Sequence, residues 1–345
     1  MTSYDIVKIF VLATASFLAA ILWTPFLTRF LHRHKLGKQI RDEESAPIYF
    51  QLHKNKSGTP TMGGALVWVT ALIFAIAVFA LNKVFDGVWS RFNFLSRKET
   101  LLPLGALVAS AIVGLIDDYW NVRRIGAAGG GLRVRHRLLI YTAIASVGAW
   151  WFFYKLQWDL IRVPFVGNFN IGWWYVPLFI FIIVATSFSV NETDGLDGLA
   201  GGTLLASFAA FGAIAALQGK IDLAAFCGVI AGALLAFLWY NIYPAKFFMG
   251  DTGAMSLGVT LGIVAMLTNS VFLLPIIGFV FVLESGSVII QILSKKIRKK
   301  KVFLSSPIHH HLEAKGWPEP QIVMRFWVIS GVAAIIGLIL FLLDR

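Results

Sequence analysis

Five aspartates in three separate segments are the residues best suited to chemistry: Asp117 and Asp118, Asp194 and Asp197, and Asp251. Asp117 and Asp118 end an apolar run, where adjacent carboxylates repel each other and are costly near lipid, so a bound cation or a catalytic task is the usual reason for them. A polar helix end is the alternative for this pair, and an N-cap is the alternative for Asp251. Mg²⁺ commonly takes one or two carboxylates together with substrate phosphates. The aspartates therefore predict a Mg²⁺ site for phosphate chemistry.

The segment 191–202 carries three acids and four glycines between two apolar runs. Such a loop can bring backbone N–H groups and carboxylates close to a phosphate-bearing ligand and its metal. Its spacing differs from that of an EF-hand loop, whose ligands extend over about twelve residues and end in a glutamate. An ordinary turn is the alternative, but the density of acid and glycine favours a ligand site.

Histidines and one lysine are the basic candidates. His309, His310 and His311 are consecutive, and consecutive residues point apart on a helix, so they cannot all bind one ion without an irregular backbone. Hydrogen bonding to a phosphate or a nucleotide fits them better than a transition-metal site or a chance tract. Lys56, beside a turn of Gly, Thr and Pro residues, is the best candidate for contact with an anionic substrate. Anionic lipid head groups account for most of the other basic residues.

Long apolar runs must position these residues. Of the 345 residues, 58% are hydrophobic and 14% are charged, whereas a soluble domain has about 25% charged residues. A bilayer-spanning helix needs roughly 20 apolar residues, and backbone in lipid must satisfy its own hydrogen bonds. The sequence thus predicts an all-α polytopic integral membrane protein with about ten transmembrane helices. The runs are 5–31, 62–81, 101–116, 138–156, 173–190, 199–217, 223–239, 254–268, 271–293 and 323–343.

Basic residues are divided unequally between the two sides of this predicted bundle. The loops 32–61, 119–137 and 294–301 hold seventeen Lys and Arg residues, whereas the alternate loops hold seven. The positive-inside rule places the first set in the cytoplasm and both termini on the external, periplasmic side. The formal net charge of +12 is therefore a topology signal, and we expect no nucleic acid partner.

We expect one transmembrane catalytic domain, residues 1–345, because the segments between the apolar runs are too short for a large soluble domain. Its active-site face is predicted to consist of the cytoplasmic loops near 32–61, 117–137, 191–198, 240–253 and 294–322. On the opposite side, alternating apolar residues around Gly167 and Asn168, flanked by tryptophans, predict a small external hairpin within 157–174.

Five strings together resemble the motifs of the phospho-N-acetylmuramoyl-pentapeptide transferases, within the polyprenyl-phosphate N-acetylhexosamine-1-phosphate transferase superfamily. They are GTPTMGG, GLIDDYW, NETDGLDGLAGG, FFMGDTG and SPIHHHLEAKGW. The resemblance covers nearly the whole chain. It implies transfer of phospho-MurNAc-pentapeptide from UDP-MurNAc-pentapeptide to undecaprenyl phosphate, giving UMP and lipid I. This would be the first membrane step of peptidoglycan synthesis, in the bacterial cytoplasmic (inner) membrane and in contact with membrane lipid.

The resemblance also implies roles for individual residues. Asp117, Asp118 and Asp251 match the family's catalytic acids, Asp251 being the one most closely tied to Mg²⁺ and the other two further candidate ligands. The run 309–311 matches its catalytic histidine motif. A homodimer is expected from the family alone. The positions that match its nucleotide pocket are Lys56, Asn191, Asp194, Gly195, Leu196, Asp197, Asn241 and Phe248.

Three positions depart from the family pattern. Many members have Lys, Lys and Gln where this chain has Asn121, Arg137 and Tyr141, so no phosphate contact is assigned to this loop. Two alternatives stand beside the transferase: a sister enzyme that moves GlcNAc-1-phosphate onto the same lipid, and a secondary transporter. The histidine loop argues against the first, and acids at span ends rather than near the midplane argue against the second. Direct attack by the lipid phosphate, with Asp117 as candidate base, and a phospho-enzyme on Asp251 are both open.

Overall fold

The computed structural model of the chain describes residues 2–38, 50, 53, 56–85, 87–96, 99–126 and 130–344. Within these residues, nine helices are long and apolar enough to cross a membrane. This confirms the all-α polytopic architecture. Most of the middle of the predicted loop 32–61, and residues 127–129 of the predicted loop 117–137, lie outside the described residues.

The helices are numbered here in chain order. They are α1 Ser3–Arg33, α2 Ala65–Val84, α3 Val88–Phe92, α4 Leu101–Val122, α5 Val134–Trp150, α6 Tyr175–Thr193, α7 Leu199–Leu217, α8 Ile221–Asn241, α9 Gly250–Leu267, α10 Leu274–Ile277, α11 Phe279–Ile297, α12 Ile308–Ala314 and α13 Glu319–Leu343. A π-helical turn, Trp151–Lys155, extends α5, and a 3₁₀ turn, Gly172–Trp174, precedes α6.

The ninth predicted run, 271–293, is not one straight helix. A 3₁₀ turn leads into the short α10, and α11 leaves at an angle of 82° to that first part. Pro275 lies at the start of α10, and Gly278 separates α10 from α11. If this bent pair is one span, the described residues contain up to ten spans, in agreement with the prediction of about ten.

The predicted hairpin is present, but its turn lies elsewhere. Strands β1 Leu160–Val163 and β2 Gly167–Asn170 pair antiparallel, with Val163 opposite Gly167. The sequence pattern centred the hairpin on Gly167 and Asn168, but both residues belong to β2. Phe165, between the strands, takes the positive φ of 64° that reverses the chain. The Arg162 side chain binds the Asp344 carboxylate at 2.7 Å and so attaches the hairpin to the end of α13.

Helix α9 lies at the centre of the bundle, and 94% of its residues are buried. It packs against α4 on one side and α6 on another. At Gly258 the backbones of α9 and α6 approach each other closely. A Cβ atom on Gly258 would lie 2.7 Å from the Cα of Ser187 in α6. Small residues allow such close helix approach, which drives packing where lipid supplies no hydrophobic contrast.

We predict that Gly258→Ala destabilises the protein, because the added methyl group meets backbone atoms that cannot rotate away. Overpacking of this kind costs about 1–3 kcal/mol, more than the roughly 1 kcal/mol that Ala gains over Gly in a helix. Thermal unfolding in detergent measures the change. Gly331→Ala in α13 is the matched control, since no atom lies within 4 Å of the added Cβ there, and it should be neutral or stabilising. Equal stability of the two variants would contradict the packing.

Candidate active site

The backbone N–H groups at the start of α9 are bound by two carboxylates from other elements. Asp118, buried near the end of α4, accepts hydrogen bonds from the N–H groups of Asp251, at 3.1 Å, and Thr252, at 3.0 Å. Asp194 accepts one from the N–H of Gly250 at 3.2 Å. No side chain caps α9 from its own N-cap position. An acid at a helix C-terminus is unfavourable, and the positive end of the α9 dipole compensates the Asp118 carboxylate.

Asp117 and Asp118 lie within the last turns of α4, which extends beyond the predicted apolar run 101–116. The two acids have different neighbours. Asp117 is fully buried, and its carboxylate accepts from the N–H of Leu132 at 2.6 Å and from Nε of Arg137 at 2.7 Å. Asp118 instead contacts α9 and accepts a further bond from the Thr61 hydroxyl at 3.2 Å. The two neighbouring acids thus have separate tasks, one towards α5 and one towards α9.

Arg137 joins three parts of the acid cluster. Its guanidinium, on the first turn of α5, donates to Asp117, to the Asn191 side-chain oxygen at 3.2 Å and to Asp251 at 2.8 Å. The Asn191 amide also donates to Asp251, at 2.5 Å. A planar guanidinium has donors in a fixed fork, so it can hold several oxygens at once where a lysine ammonium acts as a point charge. Sequence reasoning noted Arg137 as a departure and gave it no role. The available signal was that Arg137 lies in the same predicted loop, 117–137, as the acid pair.

A pocket beside this cluster collects seven of the eight predicted nucleotide-pocket residues. The eighth, Asn191, lies in the acid cluster instead. Lys38 and His53, which sequence reasoning did not single out, complete the wall. The lining residues are Lys38, His53, Lys56, Asp194, Gly195, Leu196, Asp197, Asn241 and Phe248.

Lys56 is held at the pocket by two carboxylates. Its ammonium lies 2.7 Å from Asp197 and 2.5 Å from Glu319. Burial acts to lower the pKa of Lys56, but the charges of Glu319 and Asp197 outweigh it and raise the pKa, so the side chain stays cationic. Its ammonium also lies 5.9 Å from the ring centre of Phe248. Sequence reasoning missed Glu319 because an acid in the first turn of a helix is common and does not by itself indicate a site.

Two polar side chains of the pocket wall are Asn241, which is buried, and Asp194, which is partly exposed. Asn241, the last residue of α8, accepts from the N–H of Gly198 at 2.9 Å and donates to the carbonyl of Phe247 at 2.8 Å. It therefore links the glycine-rich loop to the segment that precedes α9. Burial raises the pKa of Asp194 to about 6. The Asp194 carboxyl therefore changes its charge near pH 6. Asp197, in the same loop, is paired with Lys56 instead.

The three histidines point in three directions, as the sequence predicted. Nδ1 of His309 lies 2.8 Å from the buried Glu284 carboxylate of α11, and the His309 ring leaves room for no side chain at Gly195, where a Cβ atom would be 2.1 Å from its Nε2. His311 accepts from the N–H of Leu304 at 3.1 Å. Glu284 was missed, although a carboxylate within an apolar run is a signal in itself. The contacts assign His309 to shaping the pocket loop.

His310 belongs to a separate pair. Its Nδ1 lies 2.7 Å from the Glu313 carboxylate, which also lies 3.2 Å from Nε2 of His53. Burial and the adjacent His309 lower the pKa of His310 to about 3, so the ring is neutral. Burial alone would raise the pKa of Glu313, but the hydrogen bonds from His310 and His53 lower it to about 2.

Asp251 fits a Mg²⁺ ion better than Asp117 or Asp118 does. The Asp251 side chain is 14% exposed, and one of its oxygens accepts only from the neutral Asn191 amide, which a hard cation can displace. Asp117 shares Arg137 with it. Both oxygens of Asp118 accept from N–H donors of α9, and the two oxygens of Asp117 accept from Leu132 and Arg137.

The fold and the site define a class: a multi-pass membrane protein with an acid cluster, a pocket lined by two lysines and a neighbouring histidine cluster, suited to transfer of a phosphorylated group. The family described as glycosyl transferase family 4 matches residues 100–269, which include Asp117, Asp118, Asp194, Asp197 and Asp251.

Curated relatives narrow that class. Phospho-N-acetylmuramoyl-pentapeptide-transferase of Chloroflexus aggregans is 40% identical over 98% of this chain and 91% of its own length. The proteins of the same name from Clostridium novyi and Bacillus pumilus are 37% and 39% identical, each over 93% of this chain and over 93% and 94% of their own lengths. The chain belongs to the phospho-N-acetylmuramoyl-pentapeptide transferase family.

We predict that Asp194→Asn changes the pH dependence of stability. The wild-type carboxyl has a pKa of about 6 when folded and 3.8 ordinarily, so its contribution to stability is present below pH 4 and is lost as the pH rises through 6. The full shift corresponds to about 3 kcal/mol, and partial exposure reduces it to roughly 1–2 kcal/mol. Thermal unfolding in detergent should show the variant gaining on the wild type between pH 4 and 7. A constant difference would contradict the shift.

Proposed function

We propose that this chain transfers phospho-MurNAc-pentapeptide from UDP-MurNAc-pentapeptide to undecaprenyl phosphate, releasing UMP and forming lipid I. The observation that carries the proposal is the meeting of pocket and acid cluster at the start of α9. Asp194, from the pocket, and Asp118, from the cluster, bind the N–H groups of the adjacent residues Gly250 and Asp251. A diphosphate whose nucleotide lies in the pocket would therefore reach the acids.

The reaction joins two polyanions and needs positive charge. In the direct route, an oxygen of the lipid phosphate bonds to the phosphorus next to the sugar, while the bond from that phosphorus to the bridging oxygen breaks and its electron pair leaves with UMP. Lys38 and Lys56 line the pocket and Arg137 lies in the acid cluster, so these three cations would flank such a diphosphate. When bound, Mg²⁺ would screen the phosphates and stabilise charge on the departing UMP. Asp251 would hold the ion, Asp117 is a further candidate ligand, and Asp118 would keep Asp251 in place.

The membrane setting follows from the substrates. An isoprenoid tail dissolves in lipid and a nucleotide in water, so the two phosphates meet at an interface. We propose the cytoplasmic face of the bacterial inner membrane, both termini outside, and one catalytic domain spanning 1–345. The loops on the side that carries the acids hold seventeen Lys and Arg residues, and the loops on the opposite side hold seven. This difference supports the orientation. The homodimer stays a prediction from the family.

An assay with purified protein tests the reaction and its metal. UMP should be released from UDP-MurNAc-pentapeptide in the presence of undecaprenyl phosphate and Mg²⁺, and EDTA should stop the release. Asp251→Asn should lower kcat by at least about a hundredfold, because a neutral amide holds a hard cation poorly and no longer pairs with Arg137. Asp159→Asn, in the hairpin segment far from the site along the chain, is the control and should keep wild-type turnover.

Three outcomes would contradict parts of the proposal. Turnover by Asp251→Asn close to the wild type would refute the metal assignment. Release of UMP before the lipid is added would favour a phospho-enzyme over direct attack. Faster turnover with UDP-GlcNAc than with UDP-MurNAc-pentapeptide would favour the sister activity that moves GlcNAc-1-phosphate.

A further inference from the structure

Three buried side chains meet next to the nucleotide pocket, apart from the acid cluster to which the transfer step is assigned. His310 and Glu313 lie on one face of α12, three residues apart, and His53 approaches from the segment between α1 and α2. The carboxylate oxygen Oε2 of Glu313 is 2.7 Å from Nδ1 of His310 and 3.2 Å from Nε2 of His53. The three candidate donor atoms all lie within 4.8 Å of one another.

The donor set suits a transition metal rather than Mg²⁺. Two imidazole nitrogens and one carboxylate oxygen form the kind of three-ligand set that binds Zn²⁺ with a fourth position open, at distances of about 2 Å. Mg²⁺ prefers oxygen ligands and near-octahedral geometry. Within the described part of the chain, this is the one group of three or more His, Cys, Asp and Glu side chains whose donor atoms lie this close together. The acid cluster around Arg137 is more widely spaced.

The protons balance when an ion enters. Glu313 is already a carboxylate, and the His310 ring is neutral, so neither needs to lose a proton to bind a cation. Each ring presents a lone pair to the ion by carrying its proton on the other nitrogen, Nε2 in His310 and Nδ1 in His53. The two hydrogen bonds to Glu313 are replaced by three bonds to the metal. The burial of all three side chains, at 2–8% exposure, protects those bonds from water.

We propose that His53, His310 and Glu313 form a binding site for Zn²⁺, or for a similar divalent ion that prefers nitrogen ligands, in the wall of the nucleotide pocket. His53 lines that pocket, whereas His310 and Glu313 belong to α12. A bound ion would therefore fasten the segment before α2 to α12 and fix one wall of the pocket. The proposal is independent of the transfer reaction and of its Mg²⁺ site.

Metal binding is measured directly, with tag-free protein in detergent and no substrate. Titration with Zn²⁺ should show one tight site per chain and a rise in the temperature of thermal unfolding. Replacement by Co²⁺ should give the visible absorption of a four- or five-coordinate ion, and X-ray absorption at the zinc edge should count two imidazole ligands. The last measurement uses the wild-type protein and does not depend on any variant folding.

Variants assign the site. His53→Gln and Glu313→Gln keep a hydrogen-bonding side chain but remove a ligand, and each should weaken Zn²⁺ binding by more than about tenfold, since even outer-shell partners are worth about 10–100-fold. His311→Ala is the matched control, because this histidine adjoins His310 but contacts the backbone of Leu304. It should bind Zn²⁺ like the wild type, as should Asp251→Asn.

Absence of a tight Zn²⁺ site in the wild-type protein would overturn the proposal. Binding that survives His53→Gln unchanged, or that is lost in His311→Ala, would overturn it as well. Loss of the site in Asp251→Asn would place the ion in the acid cluster instead. None of these results bears on whether UMP is released in the transferase assay, so the two proposals can fail separately.

Discussion

The first three N–H groups of α9 have no partner within their own helix, and the architecture of the site depends on how they are bound. Asp118 from α4 takes two of them and Asp194 from the glycine-rich loop takes one. Both carboxylates gain from the positive end of the helix dipole, and both are tied to distant parts of the chain. Because α9 begins at this junction, the Asp251 side chain lies beside Arg137, where it can act together with Asp117.

Charge balance then explains the rest of the site. In the acid cluster two carboxylates, Asp117 and Asp251, share one described guanidinium, and in the pocket Asp197 and Glu319 share one ammonium. An excess of acid around few fixed cations leaves room for a divalent ion and for the phosphates that it binds. An arginine suits this cluster, since its fork of donors holds several oxygens at once.

Composition and periodicity were enough to predict the spans, because apolar length is a direct consequence of bilayer thickness. Motif resemblance was enough to collect the pocket residues. Neither could separate the tasks of Asp117 and Asp118, since neighbouring residues on a helix differ by about 100° in direction and the facing helix is not known from sequence. The bend at Gly278 and the pairing of His309 with Glu284 were missed for the same reason: both depend on tertiary packing.

The most direct test of this account is the thermal unfolding of Asp118→Ala compared with Asp251→Ala in the same detergent. Asp118→Ala removes the acceptor for two buried N–H groups, so it should lose about 3 kcal/mol or more. Asp251→Ala removes one partner of Arg137, which keeps its ion pair with Asp117, and it relieves repulsion between the acids, so it should lose less stability than Asp118→Ala. An Asp118→Ala protein as stable as the wild type would contradict the central claim that this carboxylate anchors α9.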